Sequence, residues 1–345
     1  MSSFRVFMSM KHPGPAWDQL CAAPHVVATG SGSPEPIGRD ELLTALVDCD
    51  GAVSILSDRY DEETFSNFPR LKVVANVAVG FDNIDIAAAN ENGVLVVNTP
   101  GVLDDTTADL AFALLLAAAR RVVEADRFVR EGRWSKFSFD LLLGTDLGGK
   151  TLGIIGMGRI GRAMARRARA FGMRIVYAQR RRCPVDVEAS FADRDGLGAQ
   201  HMSLDELLRV SDFISIHCPL NNATRHLLSD REFGLMKSSA ILINTARGAI
   251  IDEPALVRAL ATRKIHAAGL DVFESEPAVP SELLSMSNVV LAPHIGSASV
   301  ETRSAMASLA VSGLLSALQG ALPMNAVNPE VWAKFSKRLD QEPAR

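Results

Sequence analysis

Residues 156–161 read Gly-Met-Gly-Arg-Ile-Gly, a glycine spacing that suits the phosphates of a dinucleotide. They follow a short apolar run and precede the helical stretch 160–171, so the strand–turn–helix context is the right one. We expect Gly156 to permit a tight turn, Gly158 to let a pyrophosphate approach the backbone, and Gly161 to let the helix pack on the strand. A glycine-rich turn without a ligand is the alternative. The pattern therefore predicts a dinucleotide site, with the pyrophosphate at the N-terminus of the helix.

The next predicted strand ends in residues 179–182, which read Gln-Arg-Arg-Arg. A site that prefers NAD usually has an acid here, which binds the ribose 2′-hydroxyl, but the first carboxylate is Asp186. Gln179 is neutral, and Arg180 and Arg181 carry guanidinium groups that can form bidentate hydrogen bonds to a 2′-phosphate. An exposed basic loop without a ligand is the alternative. We therefore predict NADP(H) as the preferred cofactor, with NAD(H) possible.

One arginine, one glutamate and one histidine each follow a predicted strand in the second half of the chain: Arg247, Glu276 and His294. Taken alone, each has an ordinary structural explanation. Together they supply a cation for a substrate carboxylate, a proton donor for a carbonyl oxygen, and an acid that keeps the donor protonated. With the dinucleotide turn, the set predicts an oxidoreductase that acts on a small anionic 2-keto acid.

These residues must be positioned by the short apolar runs that alternate with amphipathic segments along the chain. The predicted strands of the first part are residues 5–8, 26–29, 52–56, 73–76 and 94–97. Those of the second part are residues 151–155, 174–178, 213–217, 240–244, 267–270 and 289–292. The predicted helices include residues 39–47, 84–92 and 300–319, and residues 30–38 are predicted to form a surface loop. The alternation predicts an α/β fold of two doubly wound parallel-sheet domains.

The length of 345 residues also favours two domains. We expect a flavodoxin-like substrate-binding domain made of residues 1–100 and 297–330, and a Rossmann dinucleotide-binding domain made of residues 101–296. A long helix that begins after residues 104–107 and runs to about residue 130 would link them, and residues 331–345 would form a polar tail, loosely held from Lys334 on.

Composition excludes several classes of partner. The formal net charge is −4, and no clustered positive surface is evident that would attract nucleic acid or an anionic membrane. The longest apolar-rich stretch, residues 108–119, is too short to span a bilayer and predicts a buried helix. The four cysteines are far apart and include no C-x-x-C pair, which argues against a metal site and a disulfide framework. We expect a cytoplasmic protein.

The chain resembles the D-isomer-specific 2-hydroxyacid dehydrogenase family, densely over residues 73–328. The stretches that carry the resemblance are residues 79–85, 152–161, 244–252, 268–277 and 293–297. Within the family, the chain is similar to bacterial glyoxylate/hydroxypyruvate reductases that also reduce 2-ketogluconate. That similarity lies in residues 236–241, 266–269 and 284–286, and in the arginine pair after the second strand of the cofactor domain.

The resemblance implies a role for each candidate. Arg247 would bind the substrate carboxylate and polarise the keto oxygen, and His294 would protonate that oxygen as hydride arrives. Glu276, which precedes a proline as in the family, would keep His294 protonated through its negative charge. The backbone N–H groups around Val79 and Gly80 would hold the other carboxylate oxygen.

The resemblance also implies which residues line the cofactor. Asp271 would hydrogen-bond the nicotinamide amide, and Arg247, His294 and Gly296 would lie beside the cofactor. Other positions that match cofactor-lining positions of the family are Thr107, Arg159, Ile160, Cys218, Pro219, Thr224, Thr245 and Ala246. A homodimer built mainly by the cofactor domains is implied as well.

Other chemistries on the same scaffold are alternatives. A phosphite dehydrogenase would have a lysine at Val79, and a formate dehydrogenase a glutamine at Glu276. A phosphoglycerate dehydrogenase would carry a regulatory extension beyond Asn328. Leu142 and Leu143 stand where the reductase branch often has large aromatics, so the size of the preferred substrate stays open.

A binding protein of another class is a further alternative, because corepressors related to this family sense NAD(H) and bind peptides. They keep the same arginine, glutamate and histidine, so that set alone does not exclude them. Gln179 argues against an NADH sensor, since such a sensor would want an acid at this position.

Overall fold

The chain, seen here in a computed structural model that describes residues 3–340, divides into two compact units. Unit 1 comprises Met1–Leu103 and Ser297–Arg345, and unit 2 comprises Asp104–Gly296. Helices and strands are numbered in chain order. No helix among the described residues is long and apolar enough to cross a membrane.

Unit 1 alternates strands and helices up to residue 97. Its strands are β1 (Phe4–Met8), β2 (Val26–Gly30), β3 (Gly51–Ser54), β4 (Val73–Asn76) and β5 (Leu95–Val97). Its helices are α1 (Ala16–Ala22), α2 (Arg39–Leu46), α3 (Glu62–Asn67), α4 (Ile86–Glu91), α13 (Val300–Leu318) and α14 (Trp332–Asp340), with a 3₁₀ turn at Pro329–Val331.

The sheet of unit 1 is parallel throughout, in the order β2-β1-β3-β4-β5. This is the flavodoxin-like order, and the long helix α13 packs on β3, β4 and β5. Asn328 completes the outer strand, because its side chain accepts the N–H of Val96 at 2.8 Å and donates to the carbonyl of Val94 at 2.9 Å.

Unit 2 contains seven strands. They are β6 (Thr151–Ile155), β7 (Arg174–Ala178), β8 (Gln200–His201), β9 (Phe213–Ile216), β10 (Ile241–Asn244), β11 (Ala267–Leu270) and β12 (Val289–Leu291). Its helices are α5 (Asp104–Ala119), α6 (Val122–Arg130), α7 (Arg159–Ala170), α8 (Val185–Ala189), α9 (Leu204–Val210), α10 (Asp230–Leu235), α11 (Glu253–Ala261) and α12 (Ser281–Ser285), with a 3₁₀ turn at Gly248–Ile250.

The sheet of unit 2 is also parallel, in the order β12-β11-β10-β9-β6-β7-β8. Counted from β6, six of these strands have the Rossmann order 3-2-1-4-5-6, and β12 adds a seventh. The predicted fold class is therefore confirmed. Because all strands run the same way, the segments that follow β6, β7, β9, β10, β11 and β12 leave one common edge of the sheet.

Two details of the elements differ from the sequence-based expectations. The short strand β8 was not predicted, since two exposed residues carry no apolar pattern. The long helix predicted to run to about residue 130 is broken into α5 and α6 by Arg121, whose φ of 55° is left-handed. The apolar pattern continues through this point, so it gave no sign of the break. The apolar part of α5 is buried, as predicted, with Ala108, Ala111 and Leu115 fully covered.

The expectation of a loosely held tail is wrong for the residues that form α14. Phe335 is fully buried and stacks on Trp332, with ring centroids 5.1 Å apart. Arg338 donates to the backbone carbonyls of Asn92 and Gly93 at 2.8 and 3.0 Å. One aromatic face and one arginine thus hold a mostly polar helix, and residues 341–345 lie outside the described part of the chain.

Candidate functional site

The glycine turn 156–161 joins β6 to α7, and its three glycines differ in what surrounds them. Gly156 has a φ of 98°, and a Cβ there would lie 2.6 Å from the backbone nitrogen of Cys218. A Cβ on Gly161 would lie 2.2 Å from the carbonyl oxygen of Gly156. A Cβ on Gly158 would meet nothing within 4 Å. Gly156 and Gly161 are thus required by packing, whereas Gly158 borders open space.

That open space lies at the N-terminus of α7, a helix of 12 residues. Gly158 is its N-cap and supplies no side-chain hydrogen bond, so the first N–H groups, including those of Arg159 and Ile160, are left for another acceptor. A helix end without a side-chain cap, beside a glycine that borders open space, fits a pyrophosphate.

The loop after β7 holds its four polar residues in different ways. Gln179 Oε1 accepts the N–H of Met157 at 3.0 Å, which ties the loop to the glycine turn. Arg182 pairs with Glu188 at 2.8 Å. Arg180 and Arg181 are exposed, and among residues 3–340 their guanidinium groups have no hydrogen-bond or ion-pair partner. Arg180 and Arg181, the two arginines predicted to bind the phosphate, thus remain available, whereas Arg182 is paired with Glu188.

His294 and Glu276 form a direct pair, with Nδ1 of the imidazole 2.7 Å from Oε2 of the carboxylate. The other oxygen, Oε1, accepts the N–H of Phe273 at 2.9 Å, which fixes the carboxylate. Burial raises the pKa of Glu276, but the hydrogen bond and charge of His294, with the charge of Arg247, bring it below its usual value. Glu276 is therefore ionised at neutral pH beside the imidazole.

Asp271 supports the same loop and has one unused oxygen. The N–H of Ile295 donates to its Oδ1 at 2.7 Å, and the N–H of His294 donates to its backbone carbonyl at 2.8 Å. Oδ2 is buried without a hydrogen-bond partner within residues 3–340, and burial raises the pKa of this carboxyl. A Cβ on Gly296 would lie 3.3 Å from both Oδ2 and Thr107 Cγ2. The acceptor Oδ2, beside the bare backbone of Gly296, fits the amide of a nicotinamide.

Arg247 stands at the start of the turn that follows β10. Asn244 braces this turn from both sides, because its Oδ1 accepts the N–H of Ala246 at 3.0 Å and its Nδ2 donates to the carbonyl of Arg247 at 2.9 Å. A Cβ on Gly248 would lie 1.9 Å from the backbone carbon of Phe273, so only glycine fits between the two loops. This close approach joins the arginine segment to the segment that carries Glu276.

The other predicted cofactor residues lie on the same edge of unit 2. Cys218 and Pro219 come directly after β9, and burial raises the pKa of the Cys218 thiol to about 11, which leaves it unreactive. Thr224 Oγ1 donates to the carbonyl of Pro219 at 2.7 Å and so closes the next turn. Thr245 Oγ1 is a second buried oxygen that lacks a partner within residues 3–340.

Val79 and Gly80 belong to unit 1, where they follow β4. Asn98 donates to the carbonyl of Val79, and Asn76 donates to the carbonyl of Gly80, each at 2.8 Å. Within residues 3–340, the N–H groups of these two residues are not used for hydrogen bonds. The two asparagines thus hold a short segment whose donors can serve an anion.

The sequence patterns missed three residues that organise the site. Asn244 could have been found, because a polar residue ends an otherwise apolar strand directly before the arginine segment. Glu188 and Tyr177, which hold the basic loop, had no such signal, since an acid on a short helix and a tyrosine in a strand are common. No group of three or more possible metal ligands occurs within residues 3–340.

Comparison with known proteins identifies the family. The model of the "D-isomer specific 2-hydroxyacid dehydrogenase, NAD binding domain" matches residues 112–296. A glyoxylate reductase of Thermococcus litoralis is 50% identical over 302 residues, which cover 86% of this chain and 89% of that protein. The chain belongs to the D-isomer-specific 2-hydroxyacid dehydrogenase family. It is thus an oxidoreductase with a nicotinamide cofactor.

Solved structures agree with this membership. A Thermus thermophilus protein is 43% identical, with a TM-score of 0.86 over 94% of this chain and 100% of its own. An NADPH-dependent glyoxylate/hydroxypyruvate reductase of Sinorhizobium meliloti, solved with NADP and malonate, is 34% identical. Its TM-score is 0.78 over 95% of this chain and 98% of its own. The archaeal reductase is more similar in sequence than this bacterial one, so the assignment to a bacterial branch stays a prediction.

Proposed function

We propose that this family member reduces small 2-keto acids, with glyoxylate and hydroxypyruvate as first candidates and 2-ketogluconate as a third, to D-2-hydroxy acids. The 2.7 Å pair between His294 and Glu276 carries the proposal, because it holds the imidazole, the proposed proton donor, against an ionised carboxylate. The names of the relatives, glyoxylate reductase and glyoxylate/hydroxypyruvate reductase, support the substrate class.

Each residue has one task in the proposed reaction. Arg247 binds the substrate carboxylate, and in unit 1 the N–H groups of Val79 and Gly80 remain the predicted donors to an anion. A bound nicotinamide would supply the hydride that reduces the carbonyl carbon. His294 gives its proton to the carbonyl oxygen, so that the carbonyl group, a hydride and a proton become an alcohol. Glu276 accepts from Nδ1 of the imidazole and so fixes the orientation of the ring.

We propose NADPH as the preferred reductant, with NADH as a slower one. Gln179 takes the place of the acid that binds a ribose 2′-hydroxyl, and Arg180 and Arg181 are exposed cations without partners in the described chain beside it. The name of the Sinorhizobium enzyme, which includes NADPH dependence, supports the same preference.

The test is a panel of glyoxylate, hydroxypyruvate, 2-ketogluconate and pyruvate, each with NADPH and with NADH, and of phosphite with NADP+ and with NAD+, all followed by the change in nicotinamide absorbance. We expect turnover of at least one small 2-keto acid, with a higher kcat/KM for NADPH than for NADH. Tight cofactor binding without turnover of any 2-keto acid would instead favour a nucleotide-sensing protein, and turnover of phosphite would favour the oxidative alternative.

We also propose a cytoplasmic homodimer. The segment 131–143 of unit 2 exposes several large apolar side chains, among them Trp134, Phe137 and Phe139, which are 59, 75 and 91% exposed. The rings of Phe137 and Phe139 contact each other, with centroids 5.3 Å apart, and exposed apolar side chains grouped in this way are typical of an interface. All four cysteines are free thiols, in keeping with a reducing compartment. Light scattering after gel filtration tests the dimer, and we expect Phe137→Ser combined with Phe139→Ser to shift it toward monomer.

A further inference from the structure

Glu188 is the most completely enclosed acid of unit 2 that the proposed reaction does not use. It lies on α8, nine residues after Gln179, and is 6% exposed. Two residues donate to its carboxylate. The hydroxyl of Tyr177, itself fully buried in β7, lies 2.5 Å from Oε1, and the guanidinium of Arg182 lies 2.9 Å from Oε1 and 2.8 Å from Oε2.

The same group also fixes the backbone of the basic loop. The hydroxyl of Tyr177 accepts the N–H of Cys183 at 2.8 Å, so the tyrosine bridges the loop backbone and Glu188. At the other end, Gln179 joins Met157 of the glycine turn and donates to the carbonyl of Arg181 at 2.6 Å. The loop is therefore held at both ends, with Arg180 and Arg181 between the two anchors.

The contacts divide the three arginines into two classes. Arg182 is neutralised by Glu188, whereas the guanidinium groups of Arg180 and Arg181 keep their charge without a partner in the described chain. Fixing a loop before a ligand arrives lowers the entropy lost on binding. A clamped loop thus presents the cations of Arg180 and Arg181 beside the glycine turn with a smaller loss of entropy than a mobile loop.

We propose that Glu188 is a specificity-determining positioning residue, which clamps the loop 179–183 through Arg182 and Tyr177 so that Arg180 and Arg181 bind the 2′-phosphate of NADPH. This inference rests on the proposed preference for NADPH. As a positioning residue, Glu188 touches neither substrate nor cofactor and acts only through the loop. Hydrogen bonds from Arg182 and then from Tyr177 lower the pKa of Glu188 to about 2, so the clamp persists over the whole range of an ordinary assay.

Binding of two nucleotides without nicotinamide tests the clamp apart from catalysis. Adenosine 2′,5′-bisphosphate carries the 2′-phosphate, and adenosine 5′-monophosphate lacks it, so the ratio of their Kd values from calorimetry measures recognition of that group. For Glu188→Ala we expect the Kd of the bisphosphate to rise about tenfold, with the Kd of the monophosphate unchanged within about twofold. In steady-state assays the KM for NADPH should rise by a similar factor while kcat stays the same.

Four further variants show whether a change in binding arises from the clamp itself. Asp205→Ala removes a half-buried acid that pairs with Arg231 at 2.5 Å elsewhere on unit 2, and it should leave both Kd values unchanged. Arg182→Ala should match Glu188→Ala, and the double variant should be no weaker than either single one, since both break the same clamp. Tyr177→Phe keeps the buried ring and loses the bridge, so it should give a smaller rise and serves if Glu188→Ala does not fold.

The outcomes distinguish this inference from the proposed function. A wild-type protein that binds the two nucleotides equally, and uses NADH as well as NADPH, would overturn the cofactor preference and the clamp together. A wild-type preference that survives in both Glu188→Ala and Arg182→Ala would overturn the clamp alone. Tighter binding of the bisphosphate by Glu188→Ala would also overturn it, because Arg182 would then be a phosphate ligand that Glu188 restrains.

Discussion

Among single residues, His294 has the most specific expected role, and a second histidine provides a matched control. Replacing His294 with alanine removes the proposed proton donor, so kcat should fall about 10²–10⁴-fold. His226 also lies 2.7 Å from a glutamate, Glu274, and also has a left-handed φ, of 50°. Steady-state assays of His226→Ala should therefore show nearly normal kcat. Equal losses in the two variants would contradict the assignment of His294.

Arg247 tests recognition of the substrate carboxylate. Lysine keeps the positive charge but lacks the planar fork that binds a carboxylate through two parallel hydrogen bonds. We expect Arg247→Lys to raise the KM for glyoxylate about tenfold or more, with a smaller loss in kcat, and Arg247→Ala to lose most turnover. Arg225, which lies on the surface near Glu274, is the matched control. An unchanged KM for glyoxylate in Arg247→Lys would contradict the proposal that Arg247 binds the substrate carboxylate.

Among the elements, the turn that follows β10 approaches the loop that carries Glu276 so closely that no side chain fits between them. Gly248→Ala would place a Cβ 1.9 Å from the backbone of Phe273, so we expect a loss of stability of about 3 kcal/mol or more. Gly234, inside α10, has nothing within 4 Å of its Cβ position. Gly234→Ala should therefore stabilise by about 0.5–1 kcal/mol. Thermal unfolding of both variants checks that Gly248→Ala lowers the stability and Gly234→Ala raises it. An unchanged stability of Gly248→Ala would show that the two loops can separate.

The sequence located the elements of this fold well where apolar periodicity and turn residues agree. Apart from β8, the strands were predicted to within one or two residues, because each is a short apolar run between polar turns. Arg121 shows the limit, since a non-glycine residue in a left-handed conformation divides α5 from α6 and leaves no mark in the pattern. Helix α14 shows a second limit of prediction, because one buried aromatic side chain, Phe335, is enough to fix a mostly polar helix.

The residues of the candidate site could likewise be predicted only in part. The residues at strand ends, such as Arg247 and His294, were recognisable because chemistry requires their types. The 2.7 Å pair of His294 with Glu276 joins residues 18 positions apart, and only the fold shows which oxygen faces the ring. Glu188 and Tyr177 could not be found from spacing, since their effect depends on burial and on hydrogen bonds across a loop.

On the scale of the whole molecule, two histidines make the stability of both units depend on pH. Burial lowers the pKa of His217 in unit 2 to about 4, and burial together with the charge of Arg303 lowers that of His12 in unit 1 to about 4. Between pH 6.5 and about 4 the unfolded chain binds protons that the folded chain does not. The contribution of these two histidines to the free energy of unfolding therefore falls as the pH falls through this window and stays level above it.

For His217 the loss is at most about 3 kcal/mol, reached near pH 4. His217→Gln keeps a polar partner for Ser215, which lies 2.8 Å from the ring nitrogen, and removes the titration. We expect the Tm of this variant, measured by calorimetry from pH 7.5 to pH 4.5, to decline less steeply than that of the wild type.

His201, an exposed histidine whose ring nitrogen lies 3.0 Å from the carbonyl oxygen of Gln179, is the control, and His201→Gln should keep the wild-type slope. Because a histidine titrates in each unit, the His217 variant should retain the part of the slope that belongs to unit 1. Parallel curves for the wild type and His217→Gln would mean that His217 is protonated in the folded protein, against the effect of its burial.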